Sequence, residues 1–215
     1  GEHHESTSDK QNLGNLNANP TDDKKVIERR PRSSANRADS FSASPDKGLF
    51  GGSFNPAHDG HRHISLLALR HLRLHEVWWL VSPGNPLKPA EGMAPLATRV
   101  RSAMAQAKRA RIRVTAIERE LGTRYTADTL QALTRRYPKR EFVWLMGSDN
   151  LAQFHRWRDW RGIARTMPIA VIARPGYDAA AIASPAMAWL RRFSVPLPSF
   201  VNRGEWSAPA LVTLR

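Results

Sequence analysis

The sequence contains no cysteine, which excludes disulfides, thiolate nucleophiles and cysteine-bound metals together. Long hydrophobic runs are missing as well: the apolar stretches break well short of the ~18 residues that a membrane-spanning helix requires. The chain does not open with a basic region followed by an apolar one, so no export signal is recognisable and a soluble, cytoplasmic protein without a membrane partner is expected. Paired carboxylates suited to glycoside hydrolysis are absent, and Ser53 has no histidine base in a nucleophile-elbow setting. Covalent catalysis therefore has no obvious agent.

Apolar residues are scarce in the first 46 positions, which are rich in Ser, Asn, Asp, Lys and Pro. Leu13, Leu16, Val26 and Ile27 are too few to offset the entropy of ordering that backbone, so residues 1–46 are expected to be a disordered extension preceding one domain at 47–215. Acidic residues are scarce in that domain. Residues 1–47 balance eight basic against eight acidic side chains, so the net charge of +14 arises from residues 48–215, with 25 Lys and Arg against 11 Asp and Glu. Basic residues such as Arg99, Arg101, Lys108 and Arg109 are expected on helix surfaces and spread rather than clustered. That distribution argues against nucleic acid as a main partner and for a site that gathers several phosphates.

What is present is organised around Lys47–Arg70. Leu49 and Phe50 end an apolar run, Gly51 and Gly52 are expected to turn the backbone, Asn55-Pro56 continues the turn, and His58-Asp59-Gly60-His61 leads into a helical pattern at Ile64, Leu67 and Ala68. A strand, a glycine turn and a helix start make an anion site, since the first-turn N–H groups attract negative charge. His58 and His61 fall on one side of that start, where each imidazole can donate to a phosphate oxygen. The spacing matches neither the dinucleotide-binding glycine fingerprint nor the nucleoside-triphosphate loop. A closed zinc site would have too few ligands, with Asp59 the only nearby acid and no cysteine. His63, His71 and His75 make the region histidine-rich, so the alternative reading of His58 and His61 is that they are only solvated surface histidines.

The chain then alternates. Glu76–Ser82 reads as a buried strand, 95–109 as a helix with Leu96, Val100 and Met104 on one face, 111–117 as a strand, and 125–133 as a helix capped by Thr126. Residues 141–146 form a further strand, 151–160 an aromatic helix that breaks in two, 167–173 a fifth strand and 179–191 a helix interrupted by Pro185, with a last short strand at 193–197. Strands alternating with helices predict an α/β, Rossmann-like doubly wound parallel sheet, whose ligands bind beyond the carboxyl ends of the strands. The turns at 51–61, 82–88, 117–126, 147–150 and 174–176 all fall at such ends. Asp149 could accept from a ribose hydroxyl, help to position magnesium, or cap the next helix. Lys88 offers a counter-charge to a phosphate. Trp78, Trp79 and Trp144 are read as core, whereas Trp157, Trp160 and Phe154 follow the Asp149 turn, where one of them can reach the pocket. Anion placement of this kind suits nucleotidyl transfer to a substrate phosphate, which is ionised at pH 7 and needs no general base.

Gly52-Ser-Phe-Asn-Pro-Ala-His-Asp-Gly-His61 resembles the signature of the nucleotidyltransferase superfamily with the His-x-Gly-His motif. With Val81–Lys88, Tyr125–Leu130, Met146–Leu151, Phe154–Trp157 and Arg174–Gly176 in order, the chain is similar to bacterial nicotinate-nucleotide adenylyltransferases over most of residues 48–176. The resemblance implies adenylyl transfer from ATP, with Mg2+, to nicotinate mononucleotide, giving deamido-NAD and pyrophosphate. By similarity His58 and His61 contact the ATP phosphates, and Gly52, Ser53, Phe54 and Gly60 border them. Asp149 meets the adenosine, and Lys88, Tyr125, Thr126 and Trp157 lie toward the pyridine nucleotide. The family's carboxyl-terminal serine–threonine segment, at the start of a helix that grips the triphosphate, is aligned here with Gly204–Arg215, which keeps only Ser207, Thr213 and Arg215. Weaker ATP binding is expected on that alignment. A related transferase acting on nicotinamide mononucleotide, pantetheine phosphate or a cytidylyl donor, a non-catalytic nucleotide-binding module and a nucleic-acid binder are the rival readings, and a homo-oligomer is compatible with the sequence.

Overall fold

Successive side chains of a strand point to opposite faces, so a strand that is apolar throughout has to be covered on both sides. The computed structural model describes residues 46–84, 91–202 and 206–215, and the expected extension lies outside them except for Asp46. Six strands are present: β1 (Lys47–Gly52), β2 (Glu76–Val81), β3 (Ile112–Thr115), β4 (Phe142–Gly147), β5 (Ile169–Ile172) and β6 (Leu211–Leu214). All pair in parallel in the order β3-β2-β1-β4-β5-β6, the doubly wound sheet that the alternation predicts.

The helices are α1 (Asp59–His71), α2 (Leu96–Gln106), α3 (Ile117–Leu121), α4 (Thr126–Arg136), α5 (Ser148–Gln153), α6 (Trp160–Thr166), α7 (Asp178–Ile182), α8 (Pro185–Leu190) and α9 (Leu197–Val201). Phe50, Trp79, Val81, Leu145 and Ile172 pack against α1, α2 and α9, whereas Leu49, Trp78, Leu80, Trp144 and Val171 pack with residues of α3 to α8 on the opposite face. The neighbours Trp78 and Trp79 thus enter different cores, as alternation requires. Trp79 is fully buried and its indole N–H donates to Ser65 Oγ at 2.8 Å, so that burying the ring, worth about 2–3 kcal/mol, leaves no polar atom unpaired.

Several boundaries differ from expectation. The aromatic helix starts early, at Ser148, and breaks as foreseen: α5 passes into a 3-10 turn at Phe154–Arg156, Trp157 is extended and Asp159 has φ 49° before α6 begins. Pro185 does interrupt the next helix, and it also starts one, because Ser184 caps α8 by accepting from the Met187 N–H and proline at the first position has no N–H to lose. The strand expected at 193–197 is not formed; Ser194 makes an isolated bridge to Leu211 and Leu197 opens α9. The outer strand is instead β6, where Leu211, Val212 and Leu214 are buried and Thr213 is exposed. The residues aligned with a helix start that grips triphosphate therefore include a sheet strand, and among the described residues of that segment no such helix start is formed. Among the described residues no helix is long and apolar enough to cross a membrane.

Strand order reverses at β1, which has β2 on one side and β4 on the other. The crevice over these carboxyl ends is where such a sheet accepts ligands.

Candidate active site

A cavity of about 480 Å³ occupies that crevice, within the size range of small-molecule sites. All five strand-end turns singled out in the sequence contribute to its lining, from Phe50–Asn55 after β1 to Arg174 after β5.

The turn after β1 is built differently from the sequence expectation. Gly51 and Gly52 still belong to the strand, and the left-handed residue is Phe54, at φ 49°. Gly51 is required for close approach instead: a Cβ there would lie 2.6 Å from the Trp144 ring, whereas one on Gly52 would meet nothing nearer than 3.6 Å. Phe54 turns inward to stack on Trp79 at 5.0 Å between ring centroids and sits 4.7 Å from the His61 ring. Asn55 ties the turn to the segment before α2, donating from Nδ2 to Gly92 O and accepting from the Ala94 N–H.

His58 and His61 form a reciprocal cap on α1. The Gly60 N–H donates to His58 Nδ1 at 3.1 Å and the His58 N–H donates to His61 Nδ1 at 3.0 Å, an imidazole version of the capping box. The amide of Gly60, expected to serve an anion directly, is thus engaged by His58. With each Nδ1 accepting, a neutral ring carries its proton on Nε2. The two rings lie 3.8 Å apart between centroids and both line the cavity. Gly60 is needed here because a Cβ would come within 2.9 Å of His58 Cε1 and Nδ1.

Asp149 lies in the first turn of α5 rather than capping it; Gly147 occupies the cap position and no side chain caps the helix. The Asp149 carboxylate folds back so far that a Cβ on Gly147 would meet Oδ1 at 2.5 Å, and its Oδ2 accepts from Arg174 Nη1 at 3.0 Å. Ser148 accepts from the Arg174 backbone N–H, so the ends of β4 and β5 are held together. Tyr125 caps α4 through its backbone and Thr126 is the first helical residue, with no side-chain cap bond; both line the cavity, as does Trp157. Trp157 meets Trp144 edge to face at 6.2 Å. Lys88 lies outside the described residues. Arg215 follows β6, is exposed and is not among the cavity-lining residues.

Other groups at the site were not foreseen. Glu118, only 6 % exposed, lines the cavity, and no hydrogen bond or ion pair to its carboxyl is found among the described residues. Burial pushes that carboxyl up to about 7. Trp144, read as core, is 2 % exposed yet also lines the cavity, and its indole N–H has no partner among the described residues. Arg158 lies 4.6 Å and Arg124 5.8 Å from the Tyr125 ring centre. Arg124, Arg156, Arg158 and Arg174 face two carboxyls, one of them paired with Arg174 and the other held largely protonated below neutrality, so the cavity favours anions. A signal for Glu118 was present: it is the first charged residue after the β3 strand end, directly behind Ala116 and Ile117.

Residues 49–206 match the cytidylyltransferase-like family model. The protein of Erythrobacter litoralis named probable nicotinate-nucleotide adenylyltransferase is 71 % identical over 175 residues, covering 81 % of this chain and 80 % of that protein. The protein of the same name from Roseobacter denitrificans is 55 % identical, covering 76 % of this chain and 81 % of its own. Among solved structures, Plasmodium falciparum nicotinic acid mononucleotide adenylyltransferase in complex with NaAD shares the fold, with a TM-score of 0.56 at 16 % identity over 69 % of this chain and 83 % of that one. The parallel sheet, the paired histidines over its switch point and the extent of these matches converge: the chain belongs to the nicotinate-nucleotide adenylyltransferase family.

Proposed function

We propose that the protein transfers the adenylyl group of ATP to nicotinate mononucleotide, forming deamido-NAD and releasing pyrophosphate. The observation that carries the reading is the reciprocal cap of His58 and His61, which fixes two imidazole donors side by side at a cavity floored by the β1 turn. In the reaction a phosphate oxygen of nicotinate mononucleotide attacks the α-phosphorus of ATP. The bond from that phosphorus to the bridging oxygen of the β-phosphate breaks, and the electron pair leaves with pyrophosphate. The attacking oxygen is already ionised at neutral pH, so the enzyme supplies placement and charge stabilisation rather than a base. His58 and His61 donate from Nε2 to the phosphate oxygens on which charge develops, and the backbone of Gly52, Ser53 and Phe54 borders the α-phosphate. Magnesium arrives as part of the ATP substrate, bound mainly by phosphate oxygens. Asp149, held by Arg174, accepts from a ribose hydroxyl of the adenosine.

The pyridine nucleotide occupies the side lined by Tyr125, Thr126 and Trp157, where Trp157 offers a ring face. Arg124 and Arg158 beside Tyr125 favour the acid over the amide, because a carboxylate gains from two nearby guanidiniums and a carboxamide does not. Pyrophosphate release with ATP and magnesium, measured side by side with nicotinate and nicotinamide mononucleotides, tests the reading. Turnover is expected with the acid and at least about tenfold less with the amide, the worth of one charge-assisted contact. Equal turnover with both would remove the substrate assignment, and no release with either would remove the activity.

A further inference from the structure

Arg99 has the look of a surface residue in sequence, yet its side chain disappears into the protein. It is 2 % exposed, and it is not among the residues lining the cavity. Its guanidinium donates to four main-chain carbonyls: from Nε to Ala94 at 2.8 Å, from Nη1 to Ser53 at 2.8 Å and Ser82 at 2.6 Å, and from Nη2 to Pro83 at 3.3 Å. Those carbonyls belong to three separate segments: the turn after β1, the end of β2 and the entry to α2. No acidic side chain pairs with it among the described residues, and burial lowers its pKa from the ordinary arginine value.

An uncompensated buried cation is costly, and a purely structural link between three loops would not require one. The rest of α2 indicates what the link serves. Ser102, three residues on, accepts from the Ala57 N–H, and Gln106, a turn further, takes Arg62 Nη1 on its carbonyl and donates to Asp59. One face of α2 therefore grips the polypeptide from Ser53 to Arg62, the stretch that ends in the paired histidines. The guanidinium, with its planar fork of donors, reaches carbonyls of the β1 turn, the β2 end and the α2 entry at once.

We infer that Arg99 is a positioning residue for phosphoryl chemistry: it sets the Ser53–Asn55 turn against the β2 end so that the turn's backbone and the two imidazoles meet the reacting phosphate in register. It touches no substrate. Its positive charge lies beneath the turn and is answered by a bound phosphate rather than by a carboxylate of the chain. This rests on the adenylyl-transfer reading only for its turnover arm.

The test compares Arg99→Lys and Arg99→Ala with the parent and with Arg101→Met, an exposed control on the same helix. Melting temperature, ATP dissociation constant by calorimetry, and kcat and KM for both substrates are measured. Arg99→Lys keeps the charge but not the fork; it is expected to stay folded and lose about 100-fold in kcat, the cost of misplacing reacting groups by about 1 Å, while KM for the pyridine nucleotide changes less than about threefold. Arg99→Ala is expected to bind ATP more weakly, and added guanidinium ion is expected to recover part of its kcat and its ATP affinity. Arg101→Met should match the parent.

Full kcat and full ATP affinity in folded Arg99→Lys would overturn the inference. So would losses that track melting temperature alone and do not respond to guanidinium. If the parent binds ATP but turns over no pyridine nucleotide, the substrate reading fails; the inference then stands or falls on whether ATP affinity drops in Arg99→Ala and returns with guanidinium.

Discussion

The two sides of the cavity are finished to different degrees. On the side formed by the β1 turn and α1, the Nδ1 of each of the paired imidazoles is engaged, the Trp79 indole behind Phe54 is satisfied by Ser65, and Asn55 uses both ends of its amide. On the side formed by α3, β4 and the Trp157 turn, the Glu118 carboxyl and the Trp144 N–H are buried without a partner among the described residues. Buried polar groups in native proteins are nearly always paired, and each exception calls for a cause. The difference teaches a division of labour. On the proposed function, the side with the paired histidines is preorganised, so that charge development would meet donors already in place. The opposite side, proposed to take the pyridine nucleotide, keeps unsatisfied groups that a bound ring and its substituent would complete.

The first way to break the contrast is to dismantle the finished side. His58→Ala and His61→Ala are each expected to lower kcat about 10²–10³-fold, as loss of a preorganised donor does. Because the two rings pack 3.8 Å apart between centroids and each steadies the other, the double variant should lose little more than the worse single one. Losses that multiply in the pyrophosphate assay would mean that the two rings act independently.

A second way uses the unfinished side. Glu118 is held up to about 7 in the folded protein by burial, whereas in the unfolded chain it titrates as an ordinary carboxyl. Between those values the folded state keeps a proton that the unfolded state gives up. The stability contributed is therefore fully present below the unfolded value and is lost as pH rises through 7, for a total of about 3 kcal/mol. Glu118→Gln has no such titration, so its stability relative to the parent should rise by up to that amount between pH 4.5 and pH 8 in urea unfolding. A pH-independent difference would show that burial does not raise the Glu118 carboxyl in the folded protein.

The smallest expected effect sharpens the contrast from within α1. Gly60→Ala gains about 1 kcal/mol of helix propensity but places a Cβ 2.9 Å from His58 Cε1 and Nδ1. Stability should stay nearly constant while kcat falls about tenfold, a fraction of what a full ångström of misplacement costs. Unchanged kcat, with an unchanged melting temperature, would mean that the His58 ring does not need its cap geometry.

How far the sequence foretells this division follows the same line. The sheet was legible because strands covered on both faces must be apolar throughout, and the cavity because every punctuated strand end lies on one edge of a parallel sheet. His58 and His61 were legible as a pair at the start of the helix, but not as each other's cap, since which nitrogen is engaged depends on backbone geometry. Arg99 was misjudged although its position is telling: with Leu96, Val100 and Ala103 it occupies the buried stripe of α2, and a charged residue in a buried stripe signals carbonyl partners. Trp144 was rightly read as a strand residue, but whether its N–H finds an acceptor is decided by neighbours distant in sequence. β6 is hidden because Leu211-Val-Thr-Leu214 is only four residues long, too short for its apolar pattern to distinguish a strand from a helical turn.

The division of labour is tested most directly by varying both substrates with Trp157→Ala and His61→Ala in the same pyrophosphate assay. Losing a stacking face worth about 0.5–1.5 kcal/mol should raise the nicotinate mononucleotide KM several-fold in Trp157→Ala and leave the ATP KM alone. His61→Ala should lose kcat with little change in the nicotinate mononucleotide KM. A rise in the ATP KM of Trp157→Ala equal to that for the pyridine nucleotide, or full kcat in His61→Ala, would contradict the account.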